Sequence, residues 1–166
     1  ALRLKPQVLD LNAQVRRICH EWAQQMPQAP ALTLWLDPVP ARVSFDPEHL
    51  RRVLVNLLDN ACRYASRQPE SIQVLTQRNA DGAPTLAVWS DGAPMEPTVE
   101  QHLFEPFFSS ESRSSGLGLY ICRELCDGHG ASIAYQRTRR MARAALAEGN
   151  EFVITLQAAA EPPARA

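Results

Sequence analysis

Lysine is nearly missing from this chain: Lys5 stands alone against sixteen arginines among 166 residues. Wherever a cation is needed to meet phosphate or carboxylate, the chain supplies a planar guanidinium fork instead of a compact ammonium charge. Net charge is also missing, at −1, which argues against nucleic acid or an acidic membrane surface as an electrostatic partner. No apolar run approaches the roughly 18 residues of a membrane span, so this stretch reads as soluble and cytoplasmic. A membrane anchor of the full-length protein would lie outside it. The four cysteines, Cys19, Cys62, Cys122 and Cys126, fall inside apolar helical patterns and not at metal-ligand spacing in loops. They read as free buried thiols in a reducing compartment, with a metal or redox role for the one-turn pair Cys122 and Cys126 as the minority reading. No internal repeat divides the chain, and 45% hydrophobic content suffices for one core.

What is present centres on residues 50 to 65, LRRVLVNLLDNACRYA. Leu50, Leu54, Leu57, Leu58, Ala61 and Ala65 share a broad stripe at helical spacing, as in a helix laid on a sheet. Asn56, Asn60 and Arg63 fall together beside that stripe. Asn disfavours helix interiors because its amide competes for backbone hydrogen bonds. Two of them one turn apart are either solvated amides next to an arginine or share a polar task. In the second case the amide oxygens suit a hard cation such as Mg²⁺, and the guanidinium suits phosphate.

Taken in order, residues 1 to 9 are extended, and a helix follows to about Met26, with Asp10 or Asn12 as its N-cap. Leu32, Leu34 and Leu36 alternate as a strand, and Arg42 to Phe45 form a second short one. Asp46-Pro47 starts the central helix as N-cap and first helical residue. Ser71 to Arg78 and Thr85 to Ser90 make a hairpin turning at Asp81-Gly82. From Asp91 to Ser115 periodicity is lost, and a connection this long inside a compact domain is functional or disordered. A helix then runs to about Asp127, stopped by Gly128 and Gly130. Ile133 to Thr138 and Glu151 to Leu156 are the last strands, with Arg139 to Gly149 expected as an exposed, mobile loop. The predicted architecture is an α+β two-layer sandwich: a mixed, mostly antiparallel sheet of about five strands, three helices on one face and the other face wet. The folded unit is expected over 1 to 158, with a disordered tail from 159 to 166.

The run Ser114-Ser115-Gly116-Leu117-Gly118 puts small residues where a loop becomes a helix, a place where backbone N–H groups and the helix dipole favour an anion. Four stretches in this order resemble the ATP-binding catalytic domain of sensor histidine kinases, in the superfamily of DNA gyrase, heat-shock protein 90 and the MutL ATPases. NLLDNACRYA (56 to 65) is similar to the N box, SDGAPM (90 to 95) to a worn G1 box, LFEPFF (103 to 108) to the F box and SGLGLYI (115 to 121) to the G2 box. The resemblance covers about residues 8 to 157 and implies a Bergerat-type fold. Within the family, EPFFSS and GLGLYICRELC look most like the nitrogen-regulation and type IV pilus sensor kinases.

The resemblance implies ATP and Mg²⁺ as ligands. Asn60 would hold the metal, Asn56 would support it or its water, Arg63 would meet a phosphate and Tyr64 would flank the adenine. Gly116 and Gly118 would let the lid close on the phosphates. Arg113, Ser115, Leu117 and Leu119 complete that side, and Gly92, Met95 and Phe104 the other, with Phe104, Phe107 and Phe108 packing the lid hinge. Counted back from Phe104 without gaps, Ser90 stands where the family's carboxylate reads the adenine amino group; a one-residue shift would put Asp91 there. Pro94 replaces the second G1 glycine, Glu111 takes a place often held by Lys, and Ser114 replaces a Gly. Asn56 stands where gyrase-like ATPases carry a Glu as general base, which favours phosphoryl transfer over hydrolysis.

The implied activity is that of a protein histidine kinase whose acceptor histidine lies in an upstream dimerising domain, since His20-Glu21 lacks the continuation of an acceptor motif. A cognate response regulator and a homodimeric full-length protein would be its partners, with no nucleic acid. The other reading of the worn G1 box is a degenerate domain, weak or silent in nucleotide binding, that serves as a regulatory protein-interaction module.

Overall fold

In a computed structural model, residues 4–107 and 118–160 are described. The elements run β1 (Gln7–Asp10), α1 (Leu11–Gln25), β2 (Leu32–Trp35), β3 (Arg42–Phe45), α2 (Pro47–Tyr64), β4 (Ile72–Arg78), β5 (Pro84–Asp91), α3 (Pro97–Gln101), α4 (Gly118–Gly128), β6 (Ser132–Ala142) and β7 (Ala145–Thr155). Local chemistry sets the helix starts. The Asp10 carboxylate accepts from the Ala13 N–H at 3.1 Å, so Asp10 and not Asn12 caps α1. Asn12, the second residue of α1, is buried, and its amide donates to the Asp37 carbonyl at 2.9 Å and accepts from the Thr76 hydroxyl at 2.6 Å. The polar residue that looked like a cap therefore ties α1 to β4. Asp46 caps α2, accepting from Glu48 N–H at 2.9 Å and His49 N–H at 3.3 Å, with Pro47 at the first turn.

Five strands form one sheet in the order β2-β4-β5-β7-β6. The β2–β4 pair is parallel and the other three pairs are antiparallel. Helices α1, α2 and α4 cover one face, where Val15, Ile18, Leu54, Leu57 and Leu125 pack on Val74, Leu86, Val88 and Ile154. The stripe predicted along α2 is this contact, with Leu50, Leu54, Leu57 and Leu58 fully buried. Burying each such side chain contributes about 1.5–3 kcal/mol. The extended first residues pair as β1 with β3 in a separate two-stranded sheet. Chain pairing continues past 158, because Ala158 bridges Val43 and the Ala159 N–H donates to the Arg42 carbonyl at 2.9 Å. Residues 161–166 of the expected tail lie outside the described residues.

Three differences from the sequence reading matter. The expected loop from Arg139 to Gly149 is instead the outer half of a long β6–β7 hairpin, paired residue for residue out to Ala142 and Ala145. Its turn is Arg143-Ala144, both left-handed at φ 54° and 64°, a geometry usually signalled by Asn-Gly or Asp-Gly. Second, α3 interrupts the long connection, with Pro97 at its first turn. Third, the helix-free face is only partly wet, because Leu75, Ala87, Trp89 and Ala142 form a second buried cluster there. Arg143 anchors the hairpin tip over this face by donating to the Pro69 carbonyl at 2.6 Å and to the Asp91 carboxylate at 3.3 Å.

The start of α2 also meets the turn after α4 through two imidazoles: His49 Nδ1 lies 2.9 Å from His129 Nε2, and the His129 ring sits 4.2 Å from Phe45. Burial, then the neighbouring His49, hold the His129 pKa below its usual 6.5, against the opposing pull of Asp46. A lowered folded value means that folding favours the neutral ring, so this stability is complete above about 6.5 and lost as pH falls through the lowered value. Thermal melts from pH 7 to 5 should therefore show a fall that His129→Phe flattens. Equal slopes in both proteins would remove the pair from the account.

Candidate functional site

The polar face of α2 lies at the edge of the covered side of the sheet. Asn56 and Asn60 are half-buried, while Arg63 and Tyr64 are exposed on the last turn. The apolar stripe fixes their direction: with Leu57, Leu58 and Ala61 locked into the core, the neighbouring amides must project beside α4. Asn56 Nδ2 donates to the Gly118 carbonyl at a long 3.4 Å, and the Cys122 thiol reaches the Val53 carbonyl at 3.7 Å. The start of α4 is thereby set against the middle of α2. Burial pushes the Cys122 thiol up to about 12, outweighing the Asn56 amide, and does the same for Cys19 and Cys126. These thiols are protonated and inert at neutral pH.

On β5, Leu86 and Val88 face the helices and Ala87 and Trp89 face away. Alternation therefore sends Ser90 toward the helices and Asp91 to the opposite face. Both are buried, at 5% and 6% exposure. The Asp91 carboxylate accepts from Ser66 N–H at 2.8 Å, Ser66 Oγ at 2.6 Å and Arg143 Nη2 at 3.3 Å. It ties the end of β5 to the chain just beyond α2. Gly92 belongs to the same junction: its φ is 145°, and a Cβ there would stand 3.2 Å from the Tyr64 carbonyl.

In the connection, Met95 and Phe104 pack against the main core, the Phe104 ring standing edge-on to Phe152 at 6.2 Å, and Leu119 does so from α4. Phe107 is 78% exposed with φ 63°, so it does not share the hinge packing of Phe104. Arg113, Ser115, Gly116 and Leu117, together with Phe108, Glu111 and Ser114, lie outside the described residues.

Beside Ser90, this end of the sheet carries several residues that the sequence reading did not single out. Ser90, Asn150 and Arg137 are consecutive partners across β5, β7 and β6. Asn150 Oδ1 accepts from Tyr135 Oη at 2.5 Å and Arg137 Nη1 at 3.2 Å, while its Nδ2 donates to the Ala93 carbonyl at 3.0 Å. Arg137 Nη1 also donates to the Gly92 carbonyl at 2.7 Å. Tyr135 is held above its usual pKa, by burial first and the nearby Glu100 second. Together these side chains hold the Gly92-Ala93 stretch down on the sheet. The expected strand Ile133 to Thr138 already puts Arg137 on the Ile133 and Tyr135 face; its partner Asn150, just outside the expected strand Glu151 to Leu156, had no local signature.

A family model described as histidine kinase-, DNA gyrase B- and HSP90-like ATPase matches residues 45–160, from the cap of α2 past the end of β7. The chain belongs to this family. Among its relatives is the sensor protein kinase PilS of Pseudomonas aeruginosa, 36% identical over 135 residues, 80% of this chain and 26% of PilS. The sensor histidine kinase ZraS of Klebsiella oxytoca is 31% identical over 131 residues, 78% of this chain and 28% of ZraS. The chain thus spans about a quarter of the length of these curated relatives. The catalytic domain of histidine kinase ThkA superposes with a TM-score of 0.73 at 22% identity, covering 94% of this chain and 96% of that one. Full-length ShkA in complex with AMPPNP superposes with a TM-score of 0.74 at 20% identity, covering 98% of this chain and 34% of ShkA. The sandwich described above is the fold of histidine kinase catalytic domains. No described helix of this family member is long and apolar enough to cross a membrane.

Proposed function

We propose that this domain binds ATP with Mg²⁺ between α2 and the beginning of α4, and that the γ-phosphoryl group passes to a histidine on a separate dimerising domain. The observation that carries this is the pairing of two amides on the polar face of α2 with the start of α4, fixed by Asn56 to Gly118. The donor set suits Mg²⁺, which takes one or two protein oxygens and fills its other positions with water and phosphate. The described residues hold no cluster of three His, Cys, Asp or Glu side chains that would enclose a metal on their own. Asn60 would supply the carbonyl oxygen, with Asn56 beside it and Arg63 toward phosphate. The bound cation would neutralise phosphate charge. The chain's own part is positioning: no carboxylate stands at Asn56 to activate water, so nucleotide is held intact until an imidazole nitrogen displaces ADP from the γ-phosphorus. A response regulator would then receive the phosphoryl group.

Ser90 and Pro94 favour a second reading, a domain of weak or lost nucleotide affinity used for regulation, because the base then lacks a charged partner. Calorimetric titration with ADP and a non-hydrolysable ATP analogue, with and without Mg²⁺, separates the two. Mg-dependent binding from micromolar to submillimolar supports the kinase reading; silence at millimolar nucleotide from folded protein supports the other. In the kinase reading Asn60→Ala should remove at least about tenfold of the Mg²⁺-dependent affinity, the scale on which even outer-sphere partners of metals act. Unchanged affinity in Mg²⁺ would count against Asn60 as ligand.

A further inference from the structure

The helix-facing row formed by Ser90, Asn150 and Arg137 contains no carboxylate. Asp91 points to the opposite face and is engaged by Ser66 and Arg143. Buried Glu151 is likewise on the helix-free face, where Thr138 donates to it at 2.6 Å and Arg140 at 3.1 Å. Within the row, Asn150 Oδ1 already accepts two hydrogen bonds. What remains is the Ser90 hydroxyl, able to donate or accept, and the Arg137 guanidinium, able only to donate. Arg137 spends Nη1 on Gly92 and Asn150, while its Nη2 stands 3.9 Å from the exposed Glu148.

This inventory bears on which base the site reads. An ionised carboxylate only accepts, so it selects the 6-amino group of adenine and opposes the 6-oxo group of guanine or hypoxanthine. A hydroxyl takes either, and arginine's preferred purine contact is the oxo oxygen with the adjacent ring nitrogen. We propose that the base site of this chain admits a 6-oxopurine nucleotide at least as readily as an adenine nucleotide, with Ser90 and Arg137 as the residues that set the specificity. The inference rests on the reading that the domain binds purine nucleotides.

The test is calorimetry of the 166-residue chain with ADP, IDP and GDP, each with Mg²⁺. IDP differs from adenine at position 6 without the added 2-amino group of GDP, so it isolates the contact at issue. The expected result is a Kd for IDP equal to or below that for ADP, within about threefold for GDP, and an Arg137→Gln variant that loses about tenfold toward IDP but under about threefold toward ADP. Preference for ADP over IDP by tenfold or more, or equal losses for both ligands in Arg137→Gln, overturns the base assignment alone. Silence of all three diphosphates, from a chain that keeps its native near-ultraviolet circular dichroism, overturns the nucleotide reading and the base assignment with it. The native-chain comparison stands even where the variant fails to fold.

Discussion

Ser90→Asp should tighten ADP binding by one to two orders of magnitude, the effect of adding one hydrogen bond to a charged acceptor at about 1.5–3 kcal/mol. The side chain leaves β5 on the covered side of the sheet, in line with Asn150 and Arg137. A carboxylate there would be buried, which is costly for a lone charge, but Arg137 stands two strands away in the same row to offset it. Titration of native and variant chains with ADP reads the effect directly. No change, or weaker binding in a variant that melts like the native chain, would mean that the base does not rest on this row.

Asp91 supplies the contrast. Its carboxylate is already satisfied on the opposite face. Asp91→Ala should therefore cost stability, about 1–3 kcal/mol for the donors left without their acceptor, while leaving the ratio of ADP to IDP affinity unchanged. If Asp91→Ala instead abolished ADP binding in a folded protein, the sequence would have to be read with a one-residue shift.

The central helix was legible because everything that fixes it is local: Asp46 as cap, Pro47 behind it, and leucines at helical spacing that need a sheet to cover them. The polar face followed from the same periodicity. What could not be read depends on partners distant in the chain. The Arg143-Ala144 turn has no glycine or asparagine to announce it; it is held by Pro69 and Asp91, more than fifty positions earlier. An alanine-rich, arginine-rich stretch looks solvated until Ala142 is seen against the cluster that holds Trp89. The ambiguity between Ser90 and Asp91 was of another kind. Adjacent residues on a strand point to opposite faces, so the one-residue uncertainty in alignment was a full reversal of direction; the burial of Val88 and Trp89 on separate faces shows which way each side chain points, and which of the two meets a base is what Ser90→Asp and Asp91→Ala test.

The largest stability effect should come from that far face. Trp89 is fully buried on the side of the sheet without helices, its indole N–H reaching the Thr138 carbonyl at 3.4 Å across β7. The ring can cross because Gly149 lies beneath it: a Cβ there would stand 2.5 Å from Trp89 Cε2, 2.6 Å from Cζ2 and 2.4 Å from the Ser90 carbonyl oxygen. Trp89→Ala should cost about 3–5 kcal/mol, lowering the melting temperature by roughly 6–20 °C for a chain of this size. Gly149→Ala should cost about 3 kcal/mol, at the upper end for overpacking, since one of the clashing atoms is strand backbone and cannot rotate away. The two sites share a contact, so their effects should not add: in a Trp89→Phe background the smaller ring clears part of the space, and Gly149→Ala should cost at least about 0.5 kcal/mol less than in the native chain. Additive costs, or a Gly149→Ala variant that melts with the native protein, would mean that the indole does not lie across β7. Because the crowded carbonyl belongs to Ser90, the same substitution disturbs the strand end that carries the proposed base site. Gly149→Ala should accordingly weaken nucleotide binding even at temperatures where the variant stays folded.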